Sequence, residues 1–88
     1  MQALKLTLHR HWFDQIAAGV KKIEYRQLKP YWTTRLEGKS FDEVHFRNGY
    51  RADAPFMRVE FKRISKNGCF EIHLGKILEI KNYVPIKP

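Results

Sequence analysis

The stretch GVKKIEYR, residues 19–26, decides how the chain begins to fold. Its glycine follows an apolar repeat of helical spacing, and glycine adopts the left-handed conformation that ends many helices without the cost of a Cβ. The residues after it alternate, with Ile23 and Tyr25 on one side and Glu24 and Arg26 on the other, which is typical of a β-strand. The sequence therefore predicts a helix that ends at the glycine and a strand that follows it with one charged face.

The segments around this stretch predict further strands. Residues 3–8, 43–47 and 56–64 alternate between apolar and polar side chains, as half-buried strands do. Residues 10–18 have helical spacing instead. Residues 70–80 form the last strand, which contains a glycine typical of a bulge or bend.

Two turn signals and a proline complete the pattern. Asn48-Gly49 and Asn67-Gly68 predict turns, the second of them a hairpin. Pro30 begins a possible short helical turn within an otherwise irregular region. The fold class predicted is α+β: a small mixed β-barrel of about five strands with one or two short helices, which hides most strand edges.

Composition limits the size and the partners of the protein. With 88 residues, 43% of them hydrophobic, we expect one folded domain, 1–88. The net charge of +8 favours polyanionic partners, although charge also serves solubility. We expect a soluble, cytoplasmic protein, because no signal-peptide pattern and no apolar run of about 18 residues is present. The single Cys69 excludes an internal disulfide.

The spacing GxKxxExR, here Gly19, Lys21, Glu24 and Arg26, resembles the signature of the ASCH domain, a family related to PUA domains. The segments KPYWTTRL, FRNGY and HLGKILEI resemble the short, phage-type members, so the similarity covers nearly the whole chain. This resemblance implies a PUA-like barrel and RNA binding. Some members are amidohydrolases of acetylated cytidine, and some have been assigned nuclease activity. Their catalytic lysine falls on Lys21, whereas their threonine position is Glu24 here and their glutamate lies in an insertion that this chain lacks.

Lys21, Glu24 and Arg26 are the first candidates for ligand contact. Lys21 suits a phosphate or, in an enzyme, the role of base or nucleophile, with Glu24 as the acid. Arg26 suits a phosphate or a base edge. The structural alternatives are a solvated lysine and an ion pair between Glu24 and Arg26 that fixes the strand.

Two further groups are candidates for nucleic-acid contact. Tyr31 and Trp32, in a predicted loop, suit stacking on unpaired bases, although they could equally pack as core. Arg47, Asn48 and Tyr50 follow the third strand, where Asn48 also suits a simple turn.

The spacing of histidine and cysteine matches no metal-binding motif, and no nucleotide-cofactor glycine pattern is present, so we predict neither a metal site nor a cofactor. The sequence predicts binding of RNA or a nucleotide in a basic cleft between the first helix and the barrel. A small hydrolase acting on a modified nucleoside or RNA, and a protein-interaction adaptor, remain open alternatives. The oligomeric state is open as well.

Overall fold

The structure, a computed structural model, describes residues 1–85. Seven elements follow one another along the chain, five of them strands. They are β1 (Ala3–Thr7), α1 (Arg10–Ala17), β2 (Ile23–Arg26), α2 (Pro30–Leu36), β3 (Glu43–Arg47), β4 (Phe56–Lys66) and β5 (Phe70–Lys81).

The five strands form one mixed sheet in the order β1-β3-β4-β5-β2. β1 runs parallel to β3, and the other neighbours are antiparallel. The sheet curls into a half-barrel, which brings its two edge strands towards each other. Arg26 of β2 spans the gap, because its Nη2 lies 3.4 Å from the carbonyl oxygen of Thr7 on β1. The prediction of a small, barrel-like α+β fold with about five strands and one or two short helices is confirmed, and two helices are present.

The link from α1 to β2 forms as the opening stretch predicts. Gly19 has a φ of +77°, the left-handed conformation that ends a helix. The backbone N–H groups of Val20 and Lys21 both donate to the carbonyl of Gln15, at 3.0 and 3.1 Å. β2 begins two residues later, at Ile23, so Lys21 lies in the connection rather than in the strand.

One hydrophobic core fills the concave side of the sheet. Both helices contribute to it, α1 with two side chains and α2 with one, and every strand except β2 contributes at least two. The buried cluster consists of Leu4, Leu6, Leu8, Phe13, Ile16, Leu36, Val44, Phe46, Met57, Val59, Phe70, Ile72 and Leu74.

The long β4–β5 hairpin bends at the predicted glycine. The pairing shifts in register between Val59 and Phe61, opposite Gly75, as in a bulge. The Glu60 side chain folds against this glycine, and its Oε1 accepts a hydrogen bond of 3.0 Å from the N–H of Lys76. A Cβ at position 75 would lie 2.8 Å from the Cβ of Glu60, so only glycine fits without a shift.

The second helix corrects one sequence-based expectation. Tyr31 and Trp32 were expected in a loop, and both lie in α2. Pro30 is the first residue of this helix, where its missing N–H costs nothing. Trp32 and Leu36, one turn apart, pack against the core, and this burial stabilises a helix of only seven residues. In residues 1–85, neither helix has the length and the apolar character needed to cross a membrane.

Candidate ligand-binding cleft

An open cleft of about 590 Å³ lies where the half-barrel fails to close. Its walls come from the end of β1 with the start of α1, from β2, and from α2. Its volume is within the range of about 300–1,000 Å³ that is usual for small-molecule sites. The side chains that carry charge or aromatic surface into it are Trp12, Lys21, Glu24, Tyr25, Arg26 and Trp32.

Glu24 is the centre of the cleft floor. Its side chain faces the core because Glu24 pairs with the buried Ile72 of β5. It is 4% exposed and is the only charged residue that is buried among residues 1–85. The Nζ atom of Lys21 lies 3.3 Å from Oε1, and Nη1 of Arg26 donates to Oε2. Each carboxylate oxygen therefore has its own cationic partner, which compensates the burial of the charge.

The two cations also lie against aromatic rings. The Nζ atom of Lys21 is 5.1 Å from the ring centroid of Trp12 and 4.8 Å from that of Tyr25. Cζ of Arg26 is 5.2 Å from the centroid of Trp32. These distances are those of cation–π contacts. Two cations against one carboxylate leave the cleft floor with one net positive charge, framed by three rings.

Arg26 has a structural role in addition to lining the cleft. It donates to the carbonyl of Tyr25 at 2.8 Å and approaches that of Thr7 on the opposite edge strand. An arginine presents five N–H groups in a fixed plane, so one side chain can link both strands and the Glu24 carboxylate. The predicted ion pair between Glu24 and Arg26 is present, and it forms part of the cleft floor.

Tyr31 lies outside the cleft that its neighbour Trp32 lines. The Tyr31 ring is 55% exposed, on the outer side of α2. Cζ of Arg35 lies 3.5 Å from its ring centroid, and Nη1 of Arg35 donates to its carbonyl at 2.9 Å. The arginine therefore covers one face of this ring.

Arg47, Asn48 and Tyr50 also lie apart from the cleft, at the end of β3. Nδ2 of Asn48 donates to the carbonyl of Leu8 at 2.9 Å, so this amide ties the β3–β4 loop to the start of α1. Tyr50 is 90% exposed. Arg47 packs over the ring of Phe56, 5.3 Å from its centroid.

Trp12 and Tyr25 are cleft residues that the sequence pattern did not single out. Trp12 lies one helical turn before the buried Ile16, at the edge of the apolar face of α1, and is 43% exposed. Tyr25 belongs to the apolar face of the alternation in β2, yet that face points away from the core. Both aromatic residues lie close to Lys21 in the sequence, and this proximity could have identified them as candidate cleft residues.

Two hydrogen-bonded networks of charged and polar side chains lie outside the cleft. The Tyr83 hydroxyl donates to Oδ1 of Asp14 at 2.8 Å, and this bond lowers the pKa of the carboxyl group. Burial, and then the same carboxylate, raise the pKa of Tyr83. On the convex side of the sheet, hydrogen bonds from Arg58 lower the pKa values of Glu43 and Glu79.

The arrangement in the cleft suits binding better than proton transfer. Both oxygens of Glu24 already face cations, so this carboxylate is engaged in holding Lys21 and Arg26 in place. Lys21 and Arg26 stay partly accessible, with side-chain exposures of 12% and 17%. Within residues 1–85, no group of three or more histidine, cysteine or acidic side chains is placed to hold a metal ion.

Comparisons of the chain with protein-family models, with curated proteins and with solved structures found no match. The resemblance to the ASCH domain, which depends on Gly19, Lys21, Glu24 and Arg26 and on the later segments, therefore stays a prediction. What the chain binds has to be argued from the cleft itself.

Proposed function

We propose that the cleft binds RNA or a nucleotide, with Lys21 and Arg26 contacting phosphate and the surrounding aromatic rings contacting bases. The observation that carries this proposal is the pairing of each cation with a ring in one open cleft. Unpaired bases stack on aromatic side chains and on arginine planes, while lysine and arginine neutralise the backbone. Membership of the ASCH family, which is likewise our proposal, agrees with this function.

The charge of the whole protein supports the same proposal. The net charge of +8 attracts a polyanion from a distance, and the cleft floor keeps one positive charge after Glu24 is counted. Glu24 serves this function indirectly, because each of its two oxygens holds one of the two cations in place. A phosphate that enters the cleft meets a fixed pair of donors, whose side chains need little further ordering.

Tryptophan fluorescence tests the proposal directly. The chain has two tryptophans, Trp12 and Trp32, and both line the cleft. Titration with UMP and with single-stranded oligouridylate at low salt should quench their emission. Binding of the oligonucleotide should weaken with salt, with a log–log slope of about 0.7 for each phosphate contact. Unchanged emission at low salt, with no binding found by calorimetry, would refute the proposal.

Adjacent lysines provide a matched pair of variants. Lys21→Gln and Lys22→Gln each remove one positive charge, but only Lys21 lines the large cleft. Loss of one phosphate contact should weaken oligonucleotide binding about fivefold at 0.1 M salt. The Lys22 variant should bind as the natural protein does. Equal effects of the two substitutions would mean that net charge, and not the cleft, governs binding.

Hydrolysis of a modified nucleoside or of RNA is the second candidate, favoured by a lysine and a carboxylate together in the cleft. In this case Lys21 would act as base or nucleophile and Glu24 as acid. Turnover of acetylcytidine or of labelled RNA that is abolished by Lys21→Gln and retained in Lys22→Gln would support catalysis. Binding without turnover would leave the protein a binding module.

A further inference from the structure

A second basic and aromatic surface lies on the convex face of the sheet, opposite the core. Thr7 of β1, Arg47 of β3, Phe56 of β4 and Lys81 of β5 are direct neighbours across four strands. Lys5 lies one outward-facing position further along β1. We call the surface formed by these five side chains the platform. All of these side chains except that of Lys81 line a depression of about 330 Å³.

Phe56 is the aromatic centre of the platform. The guanidinium carbon of Arg47 lies 5.3 Å from its ring centroid, and the Nζ atom of Lys81 lies 5.9 Å from it. The ring of His45 meets it edge-on, with the centroids 5.4 Å apart. An aromatic ring stacked with an arginine plane on an open sheet is a surface on which an unpaired base can stack.

The charge of the convex face is graded along the strands. Lys5 and Arg47, at the platform end, form no ion pair with any carboxylate in residues 1–85, whereas Lys81 pairs with Glu79 at 3.6 Å. Glu43 and Glu60 face each other two outward-facing positions away, about 14 Å along the strands. The Arg58 guanidinium, which lies between, holds Glu43 at 2.7 Å. The platform end therefore attracts phosphate, while the opposite end repels it.

The platform is continuous with the cleft through one residue. Thr7 lines both the cleft and the depression at the platform. It is exposed on the edge strand, so a polynucleotide could pass over it from the cleft to the platform. From β1 to Phe56 on β4 the path crosses two strand spacings, about 10 Å.

We infer that the ligand of the cleft is a single-stranded polynucleotide whose chain continues over Thr7 onto the platform, where a base stacks on Phe56 and Arg47 while Lys5 contacts phosphate. This inference rests on the proposed function of the cleft and adds the polymeric nature and the path of the ligand. Charge complementarity and continuity with the cleft support it together.

Two double variants test the path. Lys5→Ala/Arg47→Ala removes the platform cations, and Lys39→Ala/Lys62→Ala removes two exposed lysines elsewhere, so the net charge changes equally. Binding of UMP is followed by tryptophan fluorescence, and binding of a labelled uridine octanucleotide by fluorescence anisotropy. The platform variant should bind UMP as before, while octanucleotide binding weakens about 25-fold at 0.1 M salt and its salt slope falls by about 1.4.

A third variant tests stacking without a change of charge. Phe56→Leu keeps an apolar side chain but loses the ring, so octanucleotide affinity should fall about fivefold or more, with UMP affinity retained. The platform is overturned if octanucleotide binding by its variants equals that of the Lys39/Lys62 control, and the proposal for the cleft then still stands. If neither UMP nor the octanucleotide binds the natural protein, the proposed function and the path are both refuted.

Discussion

Replacing Glu24 by glutamine should lower the stability of the protein and strengthen its binding of phosphate. The substitution keeps the shape of the side chain and removes the one negative charge that is buried within residues 1–85. Lys21 and Arg26 would then face each other without the carboxylate that separates them. Breaking a buried ion pair from one side costs about 3–5 kcal/mol. Because both cations retain some access to the solvent of the cleft, we expect a loss of about 2–3 kcal/mol in the free energy of unfolding.

For a domain of this length, such a loss lowers the midpoint of thermal unfolding by about 10–20 °C. Circular dichroism during heating measures this shift. The control is Glu37→Gln, which breaks an exposed ion pair of 2.8 Å with Lys66. Exposed pairs contribute about 1 kcal/mol or less, so the control should unfold close to the natural protein.

The expected gain in binding follows from the same charge. A phosphate held by Lys21 would lie about 6 Å from the Glu24 carboxylate, where the repulsion is about 2.8 kcal/mol at an effective dielectric constant of about 20. Screening at 0.1 M salt reduces this repulsion by about half, which leaves about a tenfold effect on affinity. Titration with UMP, followed by tryptophan fluorescence, measures this change in affinity.

Two results would contradict this reasoning. A Glu24→Gln protein that unfolds at the natural temperature would show that the charge triad does not stabilise the half-barrel. A folded variant that binds UMP more weakly would show that the positioning of Lys21 and Arg26 by Glu24 contributes more to affinity than its repulsion of phosphate takes away. Stability and affinity that change in opposite directions are the signature of a carboxylate that stabilises the fold and repels the bound phosphate.

Three further predictions concern the rest of the domain. Because burial and Asp14 raise the pKa of Tyr83, the free energy of unfolding should fall above about pH 10. Tyr83→Phe should remove this alkaline loss of stability. Because the Tyr83 hydroxyl lowers the pKa of Asp14, the same substitution should also reduce the loss of stability below about pH 4. Urea midpoints measured across the pH range test both effects. Gly75→Ala should cost about 1–3 kcal/mol in urea unfolding, because its Cβ would overlap Glu60. Asn48→Ala should cost about 1 kcal/mol and leave UMP affinity unchanged, whereas a selective loss of affinity would make Asn48 a ligand contact.

The local features of the fold could be predicted from the sequence because short-range chemistry determines them. Gly19 ends α1 in the left-handed conformation, and Asn67-Gly68 closes the β4–β5 hairpin. Gly75 marks the bulge. The sequence allowed a short helical turn from Pro30, but Tyr31 and Trp32 were assigned to a loop because aromatic residues are only moderate helix formers. The burial of Trp32 and Leu36 stabilises this helix.

The face of β2 that is buried could not be predicted from the local sequence pattern. Alternation separates Ile23 and Tyr25 from Glu24 and Arg26, but it does not say which set faces the core. Hydrophobicity alone would place Ile23 and Tyr25 inside. The pairing with β5 places Glu24 next to Ile72 instead, and two cations from the same stretch make that burial tolerable. The pairing with β5, which is distant in the sequence, therefore determines which face of β2 points to the core.

The open edge of the sheet connects the fold to the proposed function. A closed barrel would pair β1 with β2 along their length and leave no cleft between them. In this half-barrel the unpaired edges are instead linked by Arg26, which contacts Thr7, the carbonyl of Tyr25 and the Glu24 carboxylate. A ligand phosphate that reaches Arg26 therefore contacts the group that holds the two edges together. Binding should for that reason stabilise the domain against unfolding, by about 2.7 kcal/mol when the ligand is present at a hundred times its dissociation constant. In the UMP-bound protein, amide hydrogen exchange that slows more in β1 and β2 than in β4 would locate that stabilisation at the gap.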